Sequence, residues 1–131
     1  MSANLELTQR GYALFAHGDI ETLIKELVGR SCQWSMPGPK NVPLSGLYEG
    51  PAGASEFFTR VAQHLKITKF EPRQFIDGGD TIVVIGREEA TVKRTGKQYS
   101  QDWVHVLRYR DGKMVAFQSY DDTAAIAAAF S

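Results

Sequence analysis

The sequence predicts one α+β domain, helices first and a curved, mainly antiparallel sheet after them. Three observations predict it. Apolar residues recur at helical spacing through the first half of the chain. From Lys66 onward the period drops to two, and short glycine-bearing turns separate the alternating stretches that follow. The 131 residues suit a single domain, 1–131, long enough to bury a core without disulfides or metal.

Asn4 is a suitable N-cap for a first helix, in which Leu7, Tyr12, Leu14 and Phe15 form an apolar stripe ending near Ala16. Gly11 lies inside that helix at a cost of about 1 kcal/mol relative to alanine, so something is expected to pack closely against it. His17, Gly18 and Asp19 close this helix and open a shorter one. Gly18 suits the left-handed position and Asp19 the cap. Ile20, Leu23, Ile24 and Leu27 give the shorter helix its buried side. Residues 32–36 read as a short strand ended by Pro37, Gly38 and Pro39, and 40–50 as a loop in which 44–48 can pair briefly.

Pro51 suits the first turn of a third helix, where its missing N–H is not needed. Ala54, Phe57, Phe58, Val61 and Leu65 then repeat at helical spacing. Strands are predicted over 68–76, 81–93, 98–109 and 114–120, joined by turns at 77–80, 94–97 and 110–113. Turns that short make an antiparallel meander. A last helix, Thr123–Phe130, follows Asp121 and Asp122, either of which can cap it.

Charge excludes some functions. Lys and Arg number 15, as do Asp and Glu, so the net charge is zero and no basic footprint for nucleic acid is present. The densest basic group, Lys93, Arg94 and Lys97, is expected to be a solvated hairpin tip. Cys32 is the only cysteine, which rules out an internal disulfide and fits a reducing compartment. Glu6, Gln9 and Arg10 interrupt any secretory leader, and no apolar run approaches the roughly 20 residues that span a bilayer. A cytoplasmic location without membrane contact is expected. His17, His64 and Cys32 lack ligand spacing and no phosphate loop exists, so neither metal nor cofactor is expected.

In the third long strand Trp103, His105 and Leu107 face one way, Val104 and Val106 the other. A sheet apolar on both faces needs two covers. The helices supply one, and a second copy of the chain is expected to supply the other, making a homodimer. Light scattering at micromolar concentration should return the mass of two chains; a stable monomer there would remove the expectation.

Helices, a strand bearing Trp34, another helix and a four-strand meander form an order shared with a known family. Separated runs support the likeness: 12–19 (YALFAHGD), 33–38 (QWSMPG), 48–53 (YEGPAG), 105–113 (HVLRYRDGK) and 120–125 (YDDTAA). Together they resemble the SnoaL-like branch of the NTF2-like superfamily across nearly the whole chain. The resemblance implies a cone, its curved sheet wrapped around helices and enclosing an apolar cavity. Members include ketosteroid isomerase, polyketide cyclases, epoxide hydrolases, dehydratases and non-catalytic proteins, so the fold alone does not set the chemistry.

The resemblance also implies site residues. The base of ketosteroid isomerase precedes a proline on the first strand, a position held here by Met36, which cannot abstract a proton. Its oxyanion-binding Asp aligns with His105, and its helix-borne Tyr with Gly11, Tyr12 lying one residue off and on another helical face. A mechanism of that kind is not expected. Aldol-type polyketide cyclases place a histidine on the third long strand, matched by His105, and a carboxylate on the last. Ser119 occupies that second position; Asp121, two residues on, shares its face.

His105 and Asp121 are therefore the candidate catalytic pair, with Trp34, Met36, Tyr48, Phe58, Trp103, Phe117 and Ser119 lining the ligand site. A carboxylate in an apolar cavity is a stronger base than one in water, and an imidazole beside it can donate to a developing oxyanion or shuttle the proton. Structural readings stand beside these: His105 as a satisfied core histidine, Asp121 or Asp122 as a helix cap, and Trp34 as core. Tyr120 belongs on the outer face in this reading; Arg87 and Glu89 either pair inside the cavity mouth or lie on a solvated strand end, the second being preferred. The function expected is binding of a small, mostly apolar molecule, with cofactor-free proton transfer such as isomerisation, cyclisation or dehydration. The alternative is a non-catalytic hydrophobic-ligand or dimerisation module.

Overall fold

Serine at position 2 starts the first helix, not Asn4. The computed structural model describes residues 2–131. In it the Ser2 side chain accepts from Leu5 N at 3.0 Å, while Asn4 lies inside α1 (Ala3–Ala16) and its amide reaches Gly79 O at 2.8 Å. Asp19 caps α2 (Ile20–Leu27), as its sequence position predicts. The chain then runs through β1 (Val28–Met36), β2 (Gly46–Glu49), α3 (Gly50–His64), β3 (Leu65–Asp77), β4 (Thr81–Val92), β5 (Gln98–Arg110), β6 (Lys113–Tyr120) and α4 (Thr123–Phe130). The final helix has the predicted bounds. The first strand begins four residues before its predicted start, because Val28 follows α2 without a turn.

All six strands join one sheet in the order β2-β1-β6-β5-β4-β3, with β1 and β6 parallel and the other pairs antiparallel. Register shifts interrupt the β1–β6, β3–β4 and β5–β6 pairings. Extra residues at such points bend a strand and increase its twist, which curls this sheet around the helices. Side chains alternate across it. On β4 the even-numbered residues from Ile82 to Val92 are buried; on β5 the odd-numbered ones from Tyr99 to Tyr109 are. On the convex side Val83, Ile85, Val104 and Val106 are only half-buried.

Gly11 is where α1 meets α2. A Cβ there would lie 2.6 Å from a Leu27 methyl, the close approach that a mid-helix glycine implies. The basic hairpin after β4 differs from expectation. It is not merely solvated: Arg94 donates to Phe130 O, Thr95 Oγ1 to Ala129 O at 2.6 Å and Lys97 Nζ to Ser131 O at 2.6 Å. These donors satisfy the orphan carbonyls at the end of α4, where positive charge is favoured. Lys93 Nζ does the same for Ala62 O near the end of α3, at 2.6 Å. The hairpin thus clamps two helix ends to the sheet. Among the described residues no helix is long and apolar enough to cross a membrane.

Candidate functional site

Between the concave sheet and the helices α1–α3 lies a cavity of about 110 Å³. A single water needs about 10–15 Å³ on this scale, so the space exceeds several waters. Trp34, Met36, Phe58, Trp103, Phe117, Ser119, His105 and Asp121 all line it. Tyr48 does not. Its hydroxyl donates to Leu44 O at 2.8 Å and its ring carries the Arg60 guanidinium at 5.4 Å, so it belongs to the core beside β2.

Aromatic rings make most of the wall. Trp34 stacks on Phe117 with centroids 4.1 Å apart; Trp103 lies between Phe70 at 4.8 Å and His105 at 4.0 Å. Among the described residues the buried indole N–H groups of Trp34 and Trp103 have no hydrogen-bond partner. Each of these indoles thus carries an unpaired donor as well as its apolar ring.

Polar groups occupy one band of the wall, running across β6, β5 and β4. His105 sits opposite Ser119 in the β5–β6 register, and Ser119 Oγ is 2.6 Å from Asp121 Oδ2. Asp121 Oδ1 accepts from Gln101 Nε2 at 3.0 Å, and the same nitrogen donates to Glu88 Oε1 at 2.9 Å. Gln101 is itself fixed, since its Oε1 accepts from Asp122 N at 2.8 Å. The capping question has a clear outcome: Asp122, not Asp121, caps α4 by accepting from Ala125 N at 3.1 Å. Asp121 is left to face the cavity. No direct bond joins Asp121 to His105; Ser119 stands between them.

His105 has a partner that strand and helix parity did not reveal. Tyr12 Oη is 2.6 Å from His105 Nδ1. That phenol is part-buried and has no other acceptor among the described residues, so it is assigned as the donor to Nδ1. The imidazole proton then sits on Nε2, which has no protein partner among the described residues and belongs to a cavity-lining side chain only 8% exposed. Burial lowers the His105 pKa to about 3, keeping the ring neutral at ordinary pH. Burial also lifts the Tyr12 phenol well above its usual range. Exclusion of Tyr12 by helical face fails because Thr8, Gly11, Tyr12 and Phe15, at the spacing of one helix face, all line the cavity.

Glu88 was passed over in the sequence, although the solvated placing of its neighbours Arg87 and Glu89 holds. Arg87 and Glu89 lie on the convex side of β4, where Arg87 pairs with Asp102 at 3.1 Å. Their neighbour Glu88 shares the inward phase of Ile82 and Val84 and is only 7% exposed. Burial raises the Glu88 pKa, aided by the charge of Asp121 and opposed by hydrogen bonds from Gln101 and Tyr99. Burial raises that of Asp121 too, against the bonds from Ser119 and Gln101. The signal available in sequence was the alternation itself: Glu88, Tyr99 and Gln101 all fall on apolar phases.

Comparison with known proteins places this arrangement. The sequence model of the SnoaL-like domain matches residues 8–117. The chain belongs to the SnoaL-like family. Solved structures similar to this SnoaL-like domain include an NTF2-like protein from Burkholderia xenovorans LB400, 26% identical, covering 98% of this chain and 95% of that one, with a TM-score of 0.88. An NTF2-like protein from Burkholderia thailandensis E264 is 25% identical over 100% and 99% of the two chains, with a TM-score of 0.88. TerC, co-crystallized with polyporic acid, is 33% identical over 98% of each chain, with a TM-score of 0.86. Comparison with curated proteins gives no match. The predicted NTF2-like fold stands on these likenesses, and the SnoaL-like domain takes in most of the helices and all of β1–β5.

Proposed function

We propose that this SnoaL-like domain binds a small, flat, mostly apolar molecule in its cavity and moves protons on it without a cofactor. One observation carries the reading: Asp122 takes the helix cap, and the Asp121 carboxyl is free to line an aromatic cavity. Asp121 removes a proton from a carbon next to a carbonyl, and the electron pair moves toward the carbonyl oxygen. His105 Nε2–H donates a hydrogen bond to that oxygen as charge develops. Tyr12 holds the imidazole in the tautomer that can do so. The aromatic walls exclude water and orient the ring. Isomerisation, cyclisation and dehydration all begin with such a step.

A non-catalytic holder of hydrophobic ligands is the second reading. It is favoured by Met36, which lines the cavity where ketosteroid isomerase has its base. Ligand and catalysis can be tested separately. Polyporic acid, a diphenyl-substituted dihydroxyquinone, combines flat apolar rings with an oxygen-bearing centre, and a relative at 33% identity was crystallized with it. Titrating it into the protein should quench tryptophan fluorescence saturably, because Trp34 and Trp103 line the cavity. His105→Ala should weaken binding about tenfold, the worth of one buried hydrogen bond. Absence of saturable quenching up to about 1 mM, a binding free energy of only about −4 kcal/mol, would sink the reading for this ligand class. The reading also includes a second copy of the chain over the half-buried convex valines, tested by the scattering measurement above.

A further inference from the structure

The chemistry above leaves Glu88 idle, though it is more deeply buried than Asp121 and lines the same cavity. We propose that Glu88 and Asp121 work as one acid–base pair that keeps a single proton near neutral pH, with Glu88 the catalytic acid and Asp121 the ionised base. The proposal rests on the cavity reading and deepens it.

Geometry and charge lead to it. Both carboxyls accept from one amide nitrogen, Gln101 Nε2, at 2.9 and 3.0 Å, so their facing oxygens are less than about 6 Å apart. The amide that joins them is neutral and cannot offset two negative charges. None of the ion pairs among the described residues includes either carboxyl. Tyr99 and His105 on β5 face the pair, both uncharged there, and Ser119 faces it from β6; Arg87 and Asp102 lie on the opposite side of the sheet. Two buried carboxylates so placed, with no cation, do not both ionise cheaply.

The charge settles on Asp121 for three reasons. It is less buried than Glu88, which is 7% exposed. It accepts from Ser119 at 2.6 Å as well as from Gln101. It also sits beside the N-terminus of α4, where a negative charge is favoured. An independent feature points to a ligand at this band: His105, 8% exposed, presents an Nε2 without a protein partner to the same cavity.

The pair defines a substrate class: flat ketones whose acidic C–H and carbonyl oxygen both face one wall. The C–H bond breaks as its proton passes to Asp121. Its electrons form the C=C bond, the C=O π electrons move to oxygen, and the Glu88 O–H proton passes to that oxygen, giving the enol. The pair begins and ends with one proton, so the cavity's charge is unchanged across the step.

Carboxyl ¹³C NMR titration of the ligand-free protein tests the pair without reference to binding or turnover. Wild type should show two separate steps, the upper one mainly Glu88. Asp121→Asn should pull the Glu88 midpoint down by at least about one pH unit, a tenfold change in proton affinity. Glu88→Gln should remove the upper step and leave the Asp121 step in place, so the test survives if either variant fails to fold. A Glu88 midpoint unmoved in Asp121→Asn, or an upper step that persists in Glu88→Gln, would overturn the proposal. Such a failure leaves the ligand titration untouched. Conversely, a cavity that ignores polyporic acid leaves the shared proton to be read by NMR.

Discussion

Asp121→Asn should slow solvent-deuterium exchange into 2-tetralone at least about 100-fold, the low end of what a positioned general base contributes. The ketone is a probe chosen for shape: one flat aromatic ring and an enolisable carbon beside a carbonyl. Asparagine keeps the size of the side chain, and its carbonyl can still accept from Gln101 while Ser119 turns its hydroxyl to accept from the new amide. Because Asp122 is the cap of α4, the substitution leaves the helix start intact. The folded protein therefore loses a base and little else, and thermal unfolding should confirm that the midpoint barely moves.

The pH dependence has a definite sign. Asp121 must be ionised to accept the proton, so exchange rises with pH through its pKa. Burial raises that pKa above the ordinary aspartate value of about 3.9, which displaces the acid limb upward. Asp121→Asn should flatten that limb altogether. His105 cannot be the source of it, because burial takes its pKa down to about 3 and the ring is already neutral across the range. Wild-type exchange no faster than buffer, or an Asp121→Asn variant as fast as wild type, would remove Asp121 from the mechanism.

How far the site could be read from sequence depends on which residues speak through a period. The elements were legible because hydrophobic spacing and turn glycines act locally, and α4 was placed to the residue. His105 and Ser119 were reached through the likeness to polyketide cyclases, and parity on a strand then put Trp103 and Phe117 on the same face. Tyr12 was excluded by an alignment one residue off, although its spacing from Thr8 and Phe15 puts it on the cavity face of α1; only its bond to His105, 93 residues away, needed the fold. Tyr48 was misplaced because its hydroxyl is committed to Leu44 O, four residues back in an irregular loop. Glu88 and Gln101 could have been found. They interrupt apolar phases of β4 and β5, and a buried polar residue is more informative than an exposed apolar one.

Gly86→Ala should have the largest effect on the fold itself, and it tests how the aromatic wall is held. Gly86 pairs across β4–β5 with Trp103 and across β3–β4 with Pro72. A Cβ at this position would lie 2.2 Å from Trp103 Cζ2 and 2.5 Å from Glu71 O. Neither can retreat freely. The carbonyl belongs to the backbone of the neighbouring strand, and Trp103, 1% exposed, is wedged between Phe70 and His105. Gly11 presents the opposite case, since the three nearest atoms to its Cβ position belong to the Leu27 side chain, which can rotate. One methyl group at residue 86 thus overpacks a rigid stack, at a cost of about 1–3 kcal/mol. That should lower the unfolding midpoint by about 3–15 °C in a domain of this size. The strain has one outlet, which is to push the indole into the cavity, tilting His105 away from Tyr12. Polyporic acid affinity should fall with stability, and a variant with wild-type unfolding and binding would mean that Trp103 is not wedged. Glycine is required at residue 86 because the cavity needs a flat tryptophan there, and only a missing side chain lets the indole lie against the sheet.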